Sequence, residues 1–321
     1  MRHAREYGVK LRHLGASGLK VSEIGIGAST LGESVDGDAA IALVREAIAA
    51  GITYIDTAVT YNMGRSEELI GRAIEGHRDE VVIGTKVGLR APGASESSQG
   101  LSRRRIMEAI ETSLRRLRTD HVDLYMAHRP DPATPIEETL EAMDRLVQDG
   151  KVRYVGGSNY AAWQMAQLQE INVRRGLARW VCAQNKWNLI DGIDDPTLLP
   201  ASRALGFGII PYQPLSSGVL TGKYRRGEEP AKGTRAGDVA RWRGEITDAR
   251  LAAVERLAPW ARARGKTTAE LGIAWLLSHE ECSTVIVGLR SMEQVGENIR
   301  ASEWRMSPEE RDQVRQIAMG T

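Results

Sequence analysis

Eight short apolar runs, separated by segments with helical periodicity, constrain the fold of this chain more than any other feature. Each run has the length of a strand and either ends on a glycine or is followed by a polar residue or a glycine. Strands that alternate with helices predict parallel pairing, and eight such units predict an α/β fold of the (β/α)₈ TIM barrel type. The runs cover residues 24–27, 53–55, 81–85, 122–127, 152–155, 180–183, 208–211 and 284–287.

The segments between the runs carry the signals of helix starts and stops. Asp38 and Ser102 are predicted N-caps, and Gly51 and Gly150 follow segments with one apolar face, where a glycine ends a helix. The predicted helices span 38–50, 66–75, 102–118, 136–149, 161–175 and 195–205, with a further set from 248 onward.

Two segments depart from this repeat. Residues 11–21 turn at Gly15 to Gly18 and predict an N-terminal β-hairpin, which we expect to close the bottom of the barrel. A long polar loop follows the seventh strand, between Tyr212 and the helix near 248. Loops of this length are usually functional lids or disordered. Its bases either meet phosphate or form solvated surface; they are Lys223, Arg225, Arg226, Lys232 and Arg235.

Length and charge limit the classes of function. A barrel of about 250 residues with loop insertions accounts for all 321 residues as a single domain, 1–321. The 43 basic and 42 acidic residues nearly balance, so we expect no nucleic-acid partner and no attraction to an anionic membrane. No apolar stretch approaches the roughly 20 residues of a membrane span.

Cysteine usage and the first residues indicate a compartment. Cys182 and Cys282 lie near predicted buried strands, where we expect small buried thiols instead of a disulfide or a metal site. Residues 1–6 lack the apolar core of a signal peptide. We therefore expect a cytoplasmic protein.

One glycine motif raises an alternative fold. Gly25 and Gly27 follow a strand and nearly match the dinucleotide-binding pattern G-x-G-x-x-G. Thr30 replaces the third glycine, and no helix begins promptly after it. The context that a doubly wound sheet requires is therefore missing, and the barrel is the favoured fold.

Three ionisable residues end strands of the predicted barrel. Asp56, Lys86 and His128 would meet at one rim, with Tyr61 in the loop after the second strand. A tyrosine with an ordinary pKa of about 10 is a weak acid, and we expect the charge of Lys86 to lower that pKa. Asp56 would pair with Lys86, and a neutral His128 would donate a hydrogen bond to a carbonyl oxygen. These groups suit the reduction of a ketone or aldehyde, in which the oxygen must be protonated.

Each of these residues also has an ordinary structural interpretation, such as a cap, a solvated lysine or a strand end. Competing chemistries lack their motifs: the chain has no G-x-S-x-G elbow and no paired metal-ligand spacing, so we predict no metal. A glycosidase would need a second rim carboxylate beside Asp56. The joint arrival of the four residues at one rim favours the reductase.

Three segments carry a resemblance to a known family: residues 56–68 (DTAVTYNMGRSEE), 128–139 (HRPDPATPIEET) and 150–159 (GKVRYVGGSN). With them the chain resembles the aldo-keto reductases from Leu14 to Asn298. The similarity is strongest to the branch of potassium-channel β subunits and aryl-alcohol-dehydrogenase-like reductases. The resemblance implies that Asp56, Tyr61, Lys86 and His128 form the catalytic tetrad.

The same branch leaves a second function open, that of a nicotinamide-sensing regulatory subunit with slow turnover. Channel subunits typically have asparagine where His128 stands, so His128 favours turnover. Relatives of this branch often assemble, and a homo-oligomer stays open as well.

Reduction of a carbonyl group needs a hydride as well as a proton, and nicotinamide cofactors provide the hydride. The resemblance places the carboxamide on Ser158, Asn159 and Gln184, and the ring on Tyr212, which is otherwise a core-edge aromatic. It implies further cofactor contacts. Among them Arg290 can hold a 2′-phosphate or stack on adenine, and the first role favours NADPH or NADP⁺ over NADH. These contacts are Gln213, Pro214, Leu215, Ser216, Gly218, Leu220, Lys223, Arg235, Gly288, Arg290, Gln294, Glu297 and Asn298.

The substrate is a small carbonyl compound whose identity the sequence leaves open. Asn62 and Trp187 depart from residues common in the family, and both are candidates for the border of a substrate pocket; Trp187 is equally a candidate for packing at the rim. The bias toward arginine, alanine and glycine suggests a GC-rich bacterial source, in which such reductases tailor polyketide or deoxysugar ketones. A general aldehyde reductase is the alternative.

Overall fold

Eight parallel strands form the framework of the chain in a computed structural model, which describes residues 8–321; the prediction for residues 1–6 lies outside the described residues. The strands are β1 (Leu11–His13), β2 (Lys20–Ser22), β3 (Ile24–Gly27), β4 (Tyr54–Asp56), β5 (Val82–Val87), β6 (Val122–Ala127), β7 (Val152–Ser158), β8 (Trp180–Asn188), β9 (Gly192–Ile193), β10 (Gly208–Tyr212) and β11 (Val285–Gly288), of which β1, β2 and β9 are not among these eight. The helices are α1 (Gly37–Ala49), α2 (Arg65–Ala73), α3 (Arg103–Leu117), α4 (Ile136–Gln148), α5 (Ala162–Arg175), α6 (Leu198–Leu205), α7 (Arg235–Asp238), α8 (Asp248–Arg262), α9 (Thr268–Leu277), α10 (Met292–Ser302) and α11 (Pro308–Met319).

The order of the parallel strands follows the sequence. The sheet runs β11-β3-β4-β5-β6-β7-β8-β10, with each neighbouring pair parallel. Its two ends approach each other through a parallel bridge between Ile209 and Cys282, flanked by hydrogen bonds from Ile209 N to Glu281 O (2.8 Å) and from Ser283 N to Ile209 O (2.9 Å). The sheet therefore curls back on itself, as a barrel requires, and it lacks the reversal of strand order of a doubly wound sheet.

Two apolar clusters lie on opposite faces of the sheet. One packs the strands against the surrounding helices. The other is small and fills the inside of the curled sheet, with Tyr54, Leu124, Cys182 and other strand residues. Residues two apart in a strand share a face. The polar residues that follow these apolar ones at the strand ends therefore face the inside of the sheet as well. The inside is therefore apolar below and polar at the C-terminal ends of the strands.

The predicted hairpin is confirmed. Strands β1 and β2 pair antiparallel, and Leu14 and Val21 are fully buried in the inner cluster. Gly15 has a φ of 58°, and a Cβ at this position would lie 2.5 Å from Gly206 O. The tip of the hairpin therefore needs glycine both for its backbone conformation and for its close approach to the start of β10.

Most predicted helix ends are within three residues of those observed. Ser102 caps α3 by accepting a hydrogen bond from Arg105 N, and Gly51 and Gly150 follow helix ends with positive φ. The cap predicted at Asp38 is wrong, because Asp36 caps α1 and Asp38 lies in its first turn. The long interval after β10 contains short 3₁₀ turns and α7, so it is less irregular than predicted.

Two further observations concern the environment of the chain. Cys182 and Cys282 are both buried and free, as predicted. In the part of the chain that the structure describes, no helix has the length and apolarity needed to cross a membrane.

Candidate active site

Three of the four predicted catalytic side chains are joined by hydrogen bonds. Lys86 Nζ, on β5, donates to Asp56 Oδ2 on β4 at 2.7 Å and to Thr57 O at 2.7 Å. It also lies 3.4 Å from the hydroxyl of Tyr61. The ring of His128, just after β6, meets the ring of Tyr61 edge-on with centroids 5.8 Å apart. The structure therefore brings the predicted tetrad together at the C-terminal ends of neighbouring strands.

The carboxylate of Asp56 has two further donors. Gln184 Nε2 donates to Asp56 Oδ1 at 2.8 Å, and the hydroxyl of Tyr54 donates to the same oxygen at 3.3 Å. Asp56 is 2% exposed and Lys86 is 0% exposed. A buried ion pair is stable only when its remaining lone pairs are satisfied, and these donors satisfy them.

The surroundings set the protonation of the tetrad. Burial opposes the charge of Lys86, but Asp56 and Tyr61 together outweigh burial and raise the pKa of Lys86. Burial, and then the charges of Lys86 and Arg129, hold the pKa of His128 well below its usual range, so the imidazole is neutral. Its Nδ1 is buried and has no hydrogen-bond partner among residues 8–321. A neutral imidazole suits the predicted role of donating a hydrogen bond to a carbonyl oxygen.

The expected direction of the Tyr61 pKa is wrong for this structure. Burial raises the pKa of Tyr61, and the opposing charge of Lys86 reduces that effect without reversing it. Tyr61 is therefore protonated at neutral pH and holds a proton that it can donate.

A second chain of hydrogen bonds joins the predicted carboxamide-binding residues. Ser158 Oγ donates to Gln184 O at 2.9 Å, and Asn159 Nδ2 donates to His128 O at 2.9 Å. The hydroxyl of Tyr212 donates to Asn159 Oδ1 at 2.8 Å. These residues are therefore continuous with the tetrad, since Gln184 also holds Asp56.

Three cations gather beside the loop that follows β10. Burial and then the charges of Arg290 and Arg235 lower the pKa of Lys223, and burial lowers the pKa of Arg235 as well. Arg290 Nη2 lies 2.8 Å from Asp238 Oδ2, so one of the three cations is paired with a carboxylate. The Nε of Arg235 is buried without a hydrogen-bond partner among residues 8–321. These residues fit an anionic group with several oxygens, such as the phosphates of a dinucleotide.

Backbone strain concentrates around the same rim. In the described part of the chain, seven residues other than glycine have positive φ. Six of them follow the C-terminal end of a strand: Asn62, Met63, Asn159, Gln213, Ser216 and Ser217. Such conformations persist where the surrounding structure holds them, and they cluster at functional sites.

Among residues 8–321, the remaining predicted cofactor residues form no side-chain hydrogen bond to the tetrad or to the carboxamide-binding residues. Pro214, Leu215, Gly218 and Leu220 belong to the segment after β10, and Gly288 ends β11. Within residues 8–321, no hydrogen bond links the side chains of α10 to the tetrad or to the carboxamide residues; these side chains are Gln294, Glu297 and Asn298. In the same range, no group of three or more His, Cys, Asp or Glu side chains could hold a metal ion.

The two residues suggested for the pocket border differ in placement. Trp187 is 1% exposed and packs edge-on against Trp275 and His279, at 5.9 Å and 4.8 Å between ring centroids, so it belongs to the packed core. Asn62 Nδ2 donates to Ser29 O at 3.2 Å and to Leu31 O at 2.6 Å, which ties the loop after β4 to the segment after β3.

Sequence reasoning missed Tyr54, which supports Asp56. The signal was present, because Tyr54 precedes Asp56 by two residues in one strand and therefore shares its face. It also missed the pair that holds α2 against β5, in which Thr85 Oγ1 donates to Glu67 Oε1 at 2.7 Å. That contact has no short-range signature in the sequence.

The chain is similar over most of its length to known proteins. A family model described as "Aldo/keto reductase family" matches residues 23–319. A probable voltage-gated potassium channel subunit beta of Oryza sativa subsp. japonica is 35% identical over 302 residues, covering 91% of each chain. A putative voltage-gated potassium channel subunit beta of Schizosaccharomyces pombe is 36% identical over 323 residues, covering 96% of this chain and 92% of the relative. The versiconal hemiacetal acetate reductase of Aspergillus parasiticus is 32% identical over 322 residues, covering 92% of this chain and 93% of the relative.

Proposed function

Because this chain belongs to the aldo/keto reductase family, we propose that it catalyses the NADPH-dependent reduction of a ketone or an aldehyde to an alcohol. The observation that carries the proposal is the line of contacts from Asp56 through Lys86 to the hydroxyl of Tyr61, beside a neutral His128. Such a line delivers a proton to an oxygen that gains negative charge as it is reduced.

The proposed roles follow from the contacts. Tyr61 donates its hydroxyl proton to the carbonyl oxygen, and Lys86 stabilises the phenolate that is left. Asp56 keeps Lys86 charged and in place, as the raised pKa of Lys86 supports. His128 donates a hydrogen bond that orients the carbonyl. Bound NADPH supplies the hydride.

The proposed cofactor site extends from the tetrad to the three cations. Ser158, Asn159 and Gln184 would hold the carboxamide, Tyr212 would stack on the ring, and the segment after β10 with α10 would hold the rest. The unpartnered Nε of Arg235 and the excess of positive charge beside it support phosphate binding at that end. Gln184 could hold the carboxamide with its second Nε2 proton or its Oε1 while Nε2 still donates to Asp56.

Two substrate classes fit the proposal. A relative from Aspergillus parasiticus is named for the reduction of a hemiacetal acetate, which supports a tailoring role on a ketone-bearing natural product. A general aldehyde reductase is the other class. The buried free thiols fit the reducing environment of the cytoplasm, which we propose as the location.

The test of the function is a binding and turnover measurement. NADPH fluorescence is recorded with added protein, and its oxidation is followed against ketone-bearing natural products and simple aldehydes, with NADH as the matched control. We expect tight NADPH binding and oxidation that depends on one class of carbonyl. Tight binding without turnover on any carbonyl would instead support the sensing subunit, in line with the channel-subunit relatives. A protein that binds neither nucleotide would rule out both.

Arg290 provides a prediction about cofactor preference. Replacing Arg290 with methionine is expected to weaken NADPH binding by about tenfold or more and to leave NADH binding nearly unchanged, because a charge-assisted hydrogen bond to the 2′-phosphate contributes about 1.5–3 kcal/mol. The matched control is Arg300→Met, since Arg300 is exposed and lies on α10, the helix that begins just after Arg290. Equal weakening of both nucleotides by Arg290→Met would place Arg290 elsewhere on the cofactor.

A further inference from the structure

Tyr54 lies beneath Asp56, inside the curled sheet, and is 0% exposed. Its hydroxyl donates to Asp56 Oδ1 at 3.3 Å, and Gln184 Nε2 donates to the same oxygen at 2.8 Å. Lys86 holds the other carboxylate oxygen at 2.7 Å. One oxygen of the carboxylate therefore accepts a hydrogen bond from Lys86, and the other oxygen accepts from the two uncharged donors.

Two glycines create the space for the ring of Tyr54. A Cβ at Gly84, on β5, would lie 2.7 Å from the Tyr54 hydroxyl. A Cβ at Gly25, on β3, would lie 2.7 Å from Tyr54 Cδ1. Because any side chain at either position would displace the ring, the strands on both sides of β4 leave room for a tyrosine that reaches Asp56.

The hydroxyl of Tyr54 acts as a donor throughout the working pH range. Burial first, and then the charge of Asp56, raise the pKa of Tyr54 well above its usual range. Asp56 Oδ1 is the hydrogen-bond acceptor of this hydroxyl. A donor that reaches a carboxylate stabilises its negative charge and reduces its attraction for other partners.

We propose that Tyr54 is a positioning residue that sets how strongly Asp56 holds Lys86, and through Lys86 the acidity of Tyr61. The inference rests on the proposed function, in which Tyr61 is the proton donor. Without the Tyr54 hydroxyl, the carboxylate would attract Lys86 more strongly, and Lys86 would stabilise the Tyr61 phenolate less. Tyr61 would then become a weaker acid.

Other charged and titratable groups act on the same two tyrosines, and the substitution leaves them in place. Those that face Tyr61 are Lys86, Asp56, Tyr54, His128, Tyr212 and Arg235. Cys182 on β8 faces Tyr54, and its pKa is raised by burial, so it stays neutral beside the carboxylate.

The test compares Tyr54→Phe with Tyr125→Phe. Tyr125, on β6, is also 0% exposed, but its hydroxyl has no hydrogen-bond partner within residues 8–321. Oxidation of an alcohol by NADP⁺ requires the Tyr61 phenolate, so its rate at pH 8 is expected to fall about threefold to tenfold in Tyr54→Phe, as for a pKa increase of about half a unit to one unit. Reduction should persist to higher pH, and Tyr125→Phe should have the wild-type profile. Overlapping profiles for Tyr54→Phe and wild type would overturn the inference.

A readout that does not need turnover separates this inference from the proposed function. With [4-¹³C]tyrosine in the protein, the Tyr61 resonance is assigned by its loss in Tyr61→Phe, and its shift is followed against pH. We expect a higher titration midpoint in Tyr54→Phe and an unchanged one in Tyr125→Phe. A shifted midpoint in a protein that reduces no carbonyl would support the role of Tyr54 and contradict the reductase. An unshifted midpoint in an active reductase would do the reverse.

Discussion

Replacing Tyr61 with phenylalanine is expected to lower kcat for carbonyl reduction by about 10²- to 10⁴-fold, the usual contribution of a positioned general acid. The substitution removes the hydroxyl that Lys86 Nζ approaches, at 3.4 Å, and keeps the ring that packs against His128. NADPH binding should change little, because the predicted cofactor contacts lie on other residues. The measurement is single-turnover oxidation of NADPH with a substrate found in the panel.

The control for this prediction is Tyr160→Phe. Tyr160 is 2% exposed, follows β7 at the same rim, and its hydroxyl has no hydrogen-bond partner in the range 8–321. Removal of that hydroxyl should leave kcat within about twofold, since a hydroxyl without a partner contributes little to the native state. A folded, cofactor-bound Tyr61→Phe protein with wild-type turnover would refute the assignment of Tyr61 as the proton donor.

The arrangement of the tetrad could be predicted from the sequence because it depends on only two regularities of strands. Strand residues two apart share a face, and parallel strands in sequence order bring their C-terminal ends together. Asp56, Lys86 and His128 each lie at such an end, so their meeting followed from the eight runs alone. Tyr61 could be placed only in the loop after the second strand. The conformation of that loop could not be predicted, since its left-handed residues Asn62 and Met63 have no local signal that fixes it.

The prediction from the sequence is wrong where burial decides the direction of a pKa shift. The pKa of Tyr61 was expected to fall, because charge pairing is visible in the sequence while desolvation depends on segments far away in the chain. For Trp187 the structure shows packing, one of the two alternatives that the sequence left open, and the strand explains why. Strand β8 extends to Asn188, beyond the predicted end at 183, and an odd number of residues from Gln184 places Trp187 on the face that packs against the helices.

Replacing either partner of the Asp56–Lys86 ion pair by an uncharged residue is expected to destabilise the protein strongly. Asp56→Asn leaves the charge of a fully buried lysine without its partner, and Lys86→Met leaves the carboxylate without its cation. Breaking a buried pair on one side costs about 3–5 kcal/mol in the free energy of unfolding. The measurement is urea unfolding at neutral pH. The exposed pair Arg104 and Glu108 is the control, and its single variants should change little.

The double variant Asp56→Asn with Lys86→Met separates stability from chemistry. It removes both charges, so most of the lost free energy of unfolding should return, while reduction should stay as slow as in Lys86→Met because no cation stabilises the Tyr61 phenolate. The pKa of Lys86 is raised in the folded state. Its contribution to the stability of the wild-type protein is therefore complete below the ordinary lysine pKa and is lost only as pH rises through the folded value, so this contribution should be constant from pH 6 to 9 in the wild type. Additive losses in the double variant would contradict a coupled pair. Restored activity with restored stability would show that the pair supports the fold and has no part in proton transfer.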